Sequence, residues 1–492
     1  MNIRLFAGSV LALSVMPAGV TAQSLAGSDP HPEVHTYAAE DFDIDPKGVT
    51  YAKDIAPILR RSCEGCHNPN GGAPMSLTTF QEVRPWARSI RLRTSIRDRM
   101  GAMPPFFVEK DLGILEFKDD PSLSDEELAK IQAWVDNGAP QGDSSDMPPP
   151  REFAEAGGWA LGEPDLVLRS REMTVPAIGP DRWGDIGLVP TGLTEDRYVK
   201  SVEVREINDM AVDAASATVG GRWVFHHMTY SSGVLNEAGT GIIDDTRQSW
   251  PIHEVGRNAD IFPEKFGTLL QANSALHLRA SHIHSNGIQE TKAYLEFGLI
   301  LHPKGYVPEY GNRARMRLGN GTDIDVVPGR AGQEFHAFTV LEQHTKIVAF
   351  EPHLHAPGTR MCIEAIWGTN HFTLNCVGYD HNWVKQYVYE DDAAPLLPKG
   401  TIMHVIGFLD TTAGNENVAD NRNWAGGGRR SVANMFIDLG YSVELTEEQF
   451  QSEMAERRAR MKSRNDYDVG CPLCWAPVLT EEVATTQQGA QQ

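Results

Sequence analysis

A chain of 492 residues is long enough for about three domains at roughly 100–200 residues each. At 41% hydrophobic and 22% charged, its composition is that of a globular protein and excludes wholesale disorder. Its 44 basic against 66 acidic side chains give a formal charge of −22, a surface that repels phosphate backbones and anionic lipid and argues against a nucleic-acid partner.

Residues 1–22 read as an export signal. Arg4 supplies the positive start, Leu5 to Val15 the apolar stretch, and Val20-Thr21-Ala22 a small-residue cleavage site. That stretch is shorter than the ~20 residues of a membrane span, and no later one is apolar enough to cross a bilayer. The expectation is a periplasmic or secreted protein in a compartment that permits disulfides. Residues 23–49, polar and carrying Pro30, Pro32 and Pro46, read as a linker.

Residues 50–142 read as helical. Tyr51 to Leu59 is a short amphipathic run and Thr79 to Arg99 a longer one. A third helix opens at Ser124, which sits three residues before Glu127 as in a capping box, and Gly138 follows its end. Between the first two runs lies Cys63-Glu64-Gly65-Cys66-His67. This spacing lets two thiols add to the vinyl groups of a haem while His67 reaches the iron. A zinc knuckle or a redox dithiol is the competing reading; export and the adjacent His favour haem. Met100 and Met103 are candidates for the sixth ligand. Met103 is preferred, because Pro104 ends the preceding helix and holds the sulfur in a loop. The haem motif, the Met103-Pro104-Pro105 loop and the closing helix through Trp134 resemble a class I-type cytochrome c domain. The resemblance implies one covalent haem c and one-electron transfer.

Residues 143–159, with Asp146-Met147-Pro148-Pro149-Pro150, read as a second linker. Beyond it, short β-branched and aromatic runs alternate with Gly, Pro, Asn and Asp clusters, the pattern of all-β sandwiches. Two sandwiches are expected, 160–310 and 311–445, with the break between Pro303 and Asp323. A charged helix, Thr446 to Arg464, and a Thr/Gln-rich tail complete 446–492.

Of the 17 histidines, 14 lie in the β region. His353 and His355 are two apart, so in a strand both imidazoles share a face and can reach one metal. His226 and His227 are adjacent and would face opposite ways in a regular strand. They share an ion only if the chain bends there. His282-Ile283-His284 repeats the two-apart pattern, with one or two ligands; His277 nearby is expected to be structural. Imidazole without carboxylate suits copper or zinc, and a thioether from Met403 or Met435 would point to copper.

Four of these motifs, in order, resemble the type II copper, ascorbate-dependent monooxygenases, which include peptidylglycine α-hydroxylating and dopamine β-monooxygenases. The family's His-His pair matches His226-His227, its single strand His matches His282, its His-x-His matches His353 and His355, and its Met matches Met435 in Arg430-Ser431-Val432-Ala433-Asn434-Met435. Ile283 stands where the family has Tyr, and Ala433-Asn434 where it has an acidic pair. The likeness spans roughly residues 160–445. It implies two jelly-roll-like sandwiches with two coppers, one on His226, His227 and His282 and one on His353, His355 and Met435. The first would be an electron reservoir and the second would bind O₂ beside the substrate.

The other cysteines fall into two pairs. Cys362 and Cys376 flank a hairpin turn at Trp367-Gly368-Thr369-Asn370 and are expected to form a disulfide. Cys471-Pro472-Leu473-Cys474 is followed by Trp475 rather than His, which argues against a second haem. A local disulfide is the expectation there, a redox dithiol the alternative. Taken together, the sequence predicts a periplasmic copper monooxygenase. It would act on a small organic substrate with O₂, fed by an ascorbate-like reductant or redox protein through its own haem. A haem and copper relay without hydroxylase activity, and a binding sandwich with incidental histidines, are the alternatives.

Overall fold

The computed structural model describes residues 34–474 apart from 70, 72, 74, 152, 154–157, 211–222, 255–258, 264, 312–313, 316–317, 321–322, 382, 429–432 and 465–468. Residues 1–22, read as an export signal, residues 430–432 of the Met435 motif and the tail lie outside the described residues. Strand dominates the molecule, in several antiparallel sheets, and helices are few. No helix among the described residues is long and apolar enough to cross a membrane.

The helices before residue 150 are short: α1 (Ala56–Ser62), α2 (Phe80–Val83), α3 (Ala87–Ile96) and α4 (Asp125–Asp136). The amphipathic run from Thr79 is broken rather than continuous. Pro85, which lacks an amide hydrogen, falls in a 3-10 turn between α2 and α3. The capping box of α4 is present, with the Ser124 hydroxyl accepting from the Glu127 amide and the Glu127 carboxylate from the Ser124 amide. Trp134 of α4 is fully buried with Tyr51, Ile55, Leu59 and Ile131 in a helical core. The segment read as a linker joins this core too: Ala39 and Val49 are buried in it, and the Gln132 side chain bonds the backbone of His35 and Tyr37.

The first β unit is a sandwich. One six-stranded sheet is centred on Arg197–Asn208 and Thr291–Leu301, the other on Phe225–Val234 and Ser274–Ile283. Alternate residues of both sheets, among them Val202, Phe297, Met228 and Leu278, are buried between them. In the second unit a four-stranded sheet, in which Gly358–Trp367 pairs with Asn370–Gly378 and Ile402–Leu409, shares one core with a five-stranded and a three-stranded sheet. Cys362 stands directly opposite Cys376, and the two are bonded; Cys471 and Cys474 form a second disulfide. Helix α5 (Glu447–Arg464) follows, and buried Phe450 and Met454 pack it against Val348 and Val443.

Residues 106–118 belong to two neighbourhoods at once. They follow the Met103 loop in sequence, yet Phe106, Val108, Ile114 and Phe117 are buried in the core of the second β unit. Val108 bridges to Val377 and Phe117 to Tyr389, and Glu109 pairs with Arg360. Gly378 permits the contact: a Cβ there would lie 1.9 Å from the Asp98 carbonyl oxygen. The loop that follows α3 is thereby fixed against the β region.

Candidate metal centres

A break in strand register builds the first cluster. His227 lies opposite His282, but the next residue of the partner strand, Ile283, lies opposite Phe225. His226 is the extra residue of a β-bulge. A bulge re-aims its side chain, so the two adjacent imidazoles converge where regular alternation would separate them. The approach to the bend is held by buried Glu206, whose carboxylate accepts from the amides of Val224 and Phe225. One ligand nitrogen from each of His226, His227 and His282 falls within 4.8 Å of the others. The ring of His284 lies 5.6 Å from that of His226.

The nitrogens around this cluster are sorted. His282 Nε2 bonds Asp181 at 2.8 Å, while its Nδ1 is buried without a protein partner. The ring stacks on Trp183 at 4.1 Å. A carboxylate on one imidazole nitrogen fixes the tautomer and offers the other to a metal. His284 repeats this, with Nδ1 bonded to the Ser285 carbonyl and Nε2 buried without a partner. Burial, reinforced by the neighbouring imidazoles, His282 first, holds His226 down to about 4 and His227 to about 2. Both are neutral near pH 7, the form that ligates. His277 is held apart by Asp185 and Arg247.

The second group is built on shorter strands. Pro352–Leu354 pairs with Phe436–Asp438, His353 opposite Ile437 and Leu354 opposite Phe436. The same register sets His355 against Met435, and the His355 amide donates to the Met435 carbonyl at 3.4 Å. His355 and Met435 thus meet main chain to main chain just past the paired strands. The two rings are 5.3 Å apart and nearly perpendicular. His355 Nδ1 bonds the Ala433 carbonyl at 2.8 Å, which assigns any metal bond to Nε2. Met403, the rival thioether, is wholly buried in the hydrophobic core opposite Thr339 and Ala365.

In the helical unit, Cys63 caps α1, and the amides of Cys66 and His67 both return to its carbonyl. The two thiols are not bonded to one another. Burial pushes Cys63 up to about 12 and raises Cys66, the opposite of the lowered thiol of a redox dithiol. His67 Nδ1 bonds the Met75 carbonyl at 3.0 Å, leaving Nε2 as the ligating nitrogen. Met103 is 43% exposed and Met100 36%. Two thiols and an oriented imidazole are donors that fit covalent haem, while Met103 is placed only as an exposed side chain on the loop after α3.

His381 had no sequence signal, being a single His in no motif. The structure brings its ring within electrostatic reach of the Leu354 carbonyl, between His353 and His355, and of His226, His227 and His282. His353 is within the same reach of His227. The two groups are therefore neighbours. Along the same loop, Trp383 packs against Phe107, and Lys385 is near enough for its charge to act on the Cys66 thiol. Asp181 and Glu206 were likewise illegible in the sequence, since their partners lie on other strands.

No family model and no curated protein matches this sequence. Among solved structures, the chain is similar to the N-glycanase PNGase F at 11% identity and TM-score 0.24, over 57% of this chain and 95% of that one. It is similar to the stem and receptor-binding domain of the spike protein P1 of bacteriophage PM2 at 8% identity and TM-score 0.12, over 60% and 98%. Likeness this slight carries no argument about fold or activity.

Proposed function

We propose that this chain is an exported copper monooxygenase that hydroxylates a small organic substrate with O₂ and carries its own haem c. The observation that supports this most is the bulge at His226, which gathers three imidazoles within electrostatic reach of a second pair, His353 and His355. In this reading residues 50–142 are a cytochrome c-like domain, and 160–310 and 311–445 are two jelly-roll-like domains. His226, His227 and His282 hold one copper, and His353, His355 and Met435 the other. Cys63, Cys66, His67 and Met103 hold the haem. Copper supplies O₂ activation and haem c one-electron transfer when bound. The net reaction takes a C–H bond, O₂, two electrons and two protons to an alcohol and water, with the electrons drawn from an ascorbate-like or protein donor.

The chain's own contribution is positioning. Asp181 and the Ala433 carbonyl turn His282 and His355 toward their ions. The thioether of Met435 favours the reduced ion at its site. The loop of His381, Trp383 and Lys385 runs from the histidine groups toward the haem motif. A second reading, a redox relay or copper store, is favoured by one feature: His284 offers a fourth imidazole that would close the first site to exogenous ligands.

Substrate-dependent O₂ uptake with analysis for hydroxylated product separates the two, since a relay gives none. Cu(II) spectroscopy on His353→Ala and Met435→Ala tests the ligand set. Loss of one copper signal in the first and an altered signal in the second are expected; an unchanged site in Met435→Ala overturns the thioether assignment.

A further inference from the structure

The outer face of the four-stranded sheet in the second β unit carries another cluster. Glu364 lies opposite His404 on the neighbouring strand and opposite Thr373 on the other side. His371, two residues before Thr373, shares that face. The alternate residues Ile363, Ala365, Met403 and Val405 point the other way, into the core. Both His371 Nε2 and His404 Nδ1 approach the same oxygen, Glu364 Oε2, at 2.7 Å. One donor atom from each of the three falls within 4.8 Å of the others. Glu364 and His404 are buried, whereas the side chain of His371 is 56% exposed.

His404 Nε2 lies 2.9 Å from His336 Nδ1, so His336 backs the ring of His404 on the side away from Glu364. Held this way, His404 presents Nδ1 to the carboxylate as a second donor atom beside His371 Nε2. Thr373 donates to the other carboxylate oxygen at 3.2 Å, and Phe338 stacks on His404 at 4.3 Å. The ligand group is thus oriented from outside, as metal sites are.

We propose that Glu364, His371 and His404 form a divalent-metal site, distinct from the two copper groups, that takes zinc with a water on the solvent side. Two imidazoles and a carboxylate with one open position is a zinc ligand set, and the carboxylate in place of a thioether selects a divalent ion over Cu(I). Ligand atoms around tetrahedral zinc lie roughly 3.3 Å apart, given bonds of about 2.0 Å. The three donors reach that spacing by small side-chain rotations. His336 orients His404 from behind.

The test is equilibrium dialysis of the full-length chain against Zn²⁺, in a His227→Ala background so that the first histidine cluster does not dominate the count. His371→Ala is the first variant, chosen because an exposed side chain is removed without disturbing the core. The chain with His371 intact is expected to bind one zinc more than the variant, or to bind it at least about 10-fold tighter, the loss that even outer ligand-orienting partners produce. His336→Ala should weaken the same ion by a smaller factor. Equal zinc content and affinity with and without His371 overturns the site and leaves a hydrogen-bonded His-Glu-His group.

Discussion

In the first β unit, imidazoles meet on two strands of ten residues each; in the second, His353 and His355 meet at the end of a strand of three that pairs with another of three. The long pair affords a bulge, a buried Glu206 at its approach, and an Asp181 and a Trp183 behind His282. The short pair fixes its ligands through a backbone carbonyl, Ala433, and through cross-strand register. The difference is one of constraint. The first cluster has His282 and a neighbouring fourth imidazole, His284, oriented by their polar partners. The second has fewer fixed donors.

The largest effect expected is loss of an ion. His227→Ala should remove one copper per chain and leave the other, and His353→Ala should do the converse, both read by metal analysis after dialysis. If either substitution removes both ions, the two groups form one site and the contrast between them disappears. The next largest concerns what holds the units together. Glu453 of α5 accepts from Lys346 of the second unit, from Lys265 of the first, and from Tyr310 between them. Lys346→Met strands part of that buried charge and should cost about 3 kcal/mol, the low end for a broken buried pair because two partners remain. Denaturant unfolding of the full chain measures it, with copper retained at both sites in the folded protein.

How much of this was legible follows the range of each interaction. The cap of α4, the pairing of Cys362 with Cys376 and the β character after residue 160 are local patterns, and they stand in the structure. His353 and His355 could be paired from strand alternation alone. His226 and His227 could not, because the bend that unites them is a register shift against Ile283, 58 residues from Phe225 in sequence. Pro85, which lacks an amide hydrogen, divides the amphipathic run from Thr79 by a purely local rule. Asp181, Glu206 and His381 act across strands or loops. The cluster around Glu364 draws on four strands of one sheet, so no spacing in the chain announces it. The segment 106–118 was read with the helices because it lies between them in sequence, yet its apolar side chains are buried with the β core.

Asp181→Asn sharpens the contrast at a smaller scale. The amide retains the shape but loses the charge that holds the His282 tautomer. Copper at the first cluster should weaken by about 10–100-fold while the second is unmoved. Competition with a calibrated chelator reads both affinities, and an equal effect at both would mean that Asp181 acts through the fold rather than through His282.

The smallest effect is a pH dependence at the seam between the β units. Burial alone would raise the Glu453 carboxyl, but the Lys346 charge and the hydrogen bonds of Lys346, Tyr310 and Lys265 outweigh it and bring the group down to about 2. An unfolded Glu titrates near 4.3. The folded state therefore binds fewer protons between those values. The stabilisation is complete above about pH 4.3 and is lost as the pH falls toward 2. Because the Lys265 side of the network meets water, screening reduces its size to the order of 1 kcal/mol. Glu453→Gln has no carboxylate to titrate, so its stability should fall less steeply than the wild type's from pH 5 to pH 2.5 in denaturant titrations. Parallel acid limbs for the two proteins would show that the strain of acidification falls elsewhere, and that the seam joining the two histidine groups does not depend on this charge.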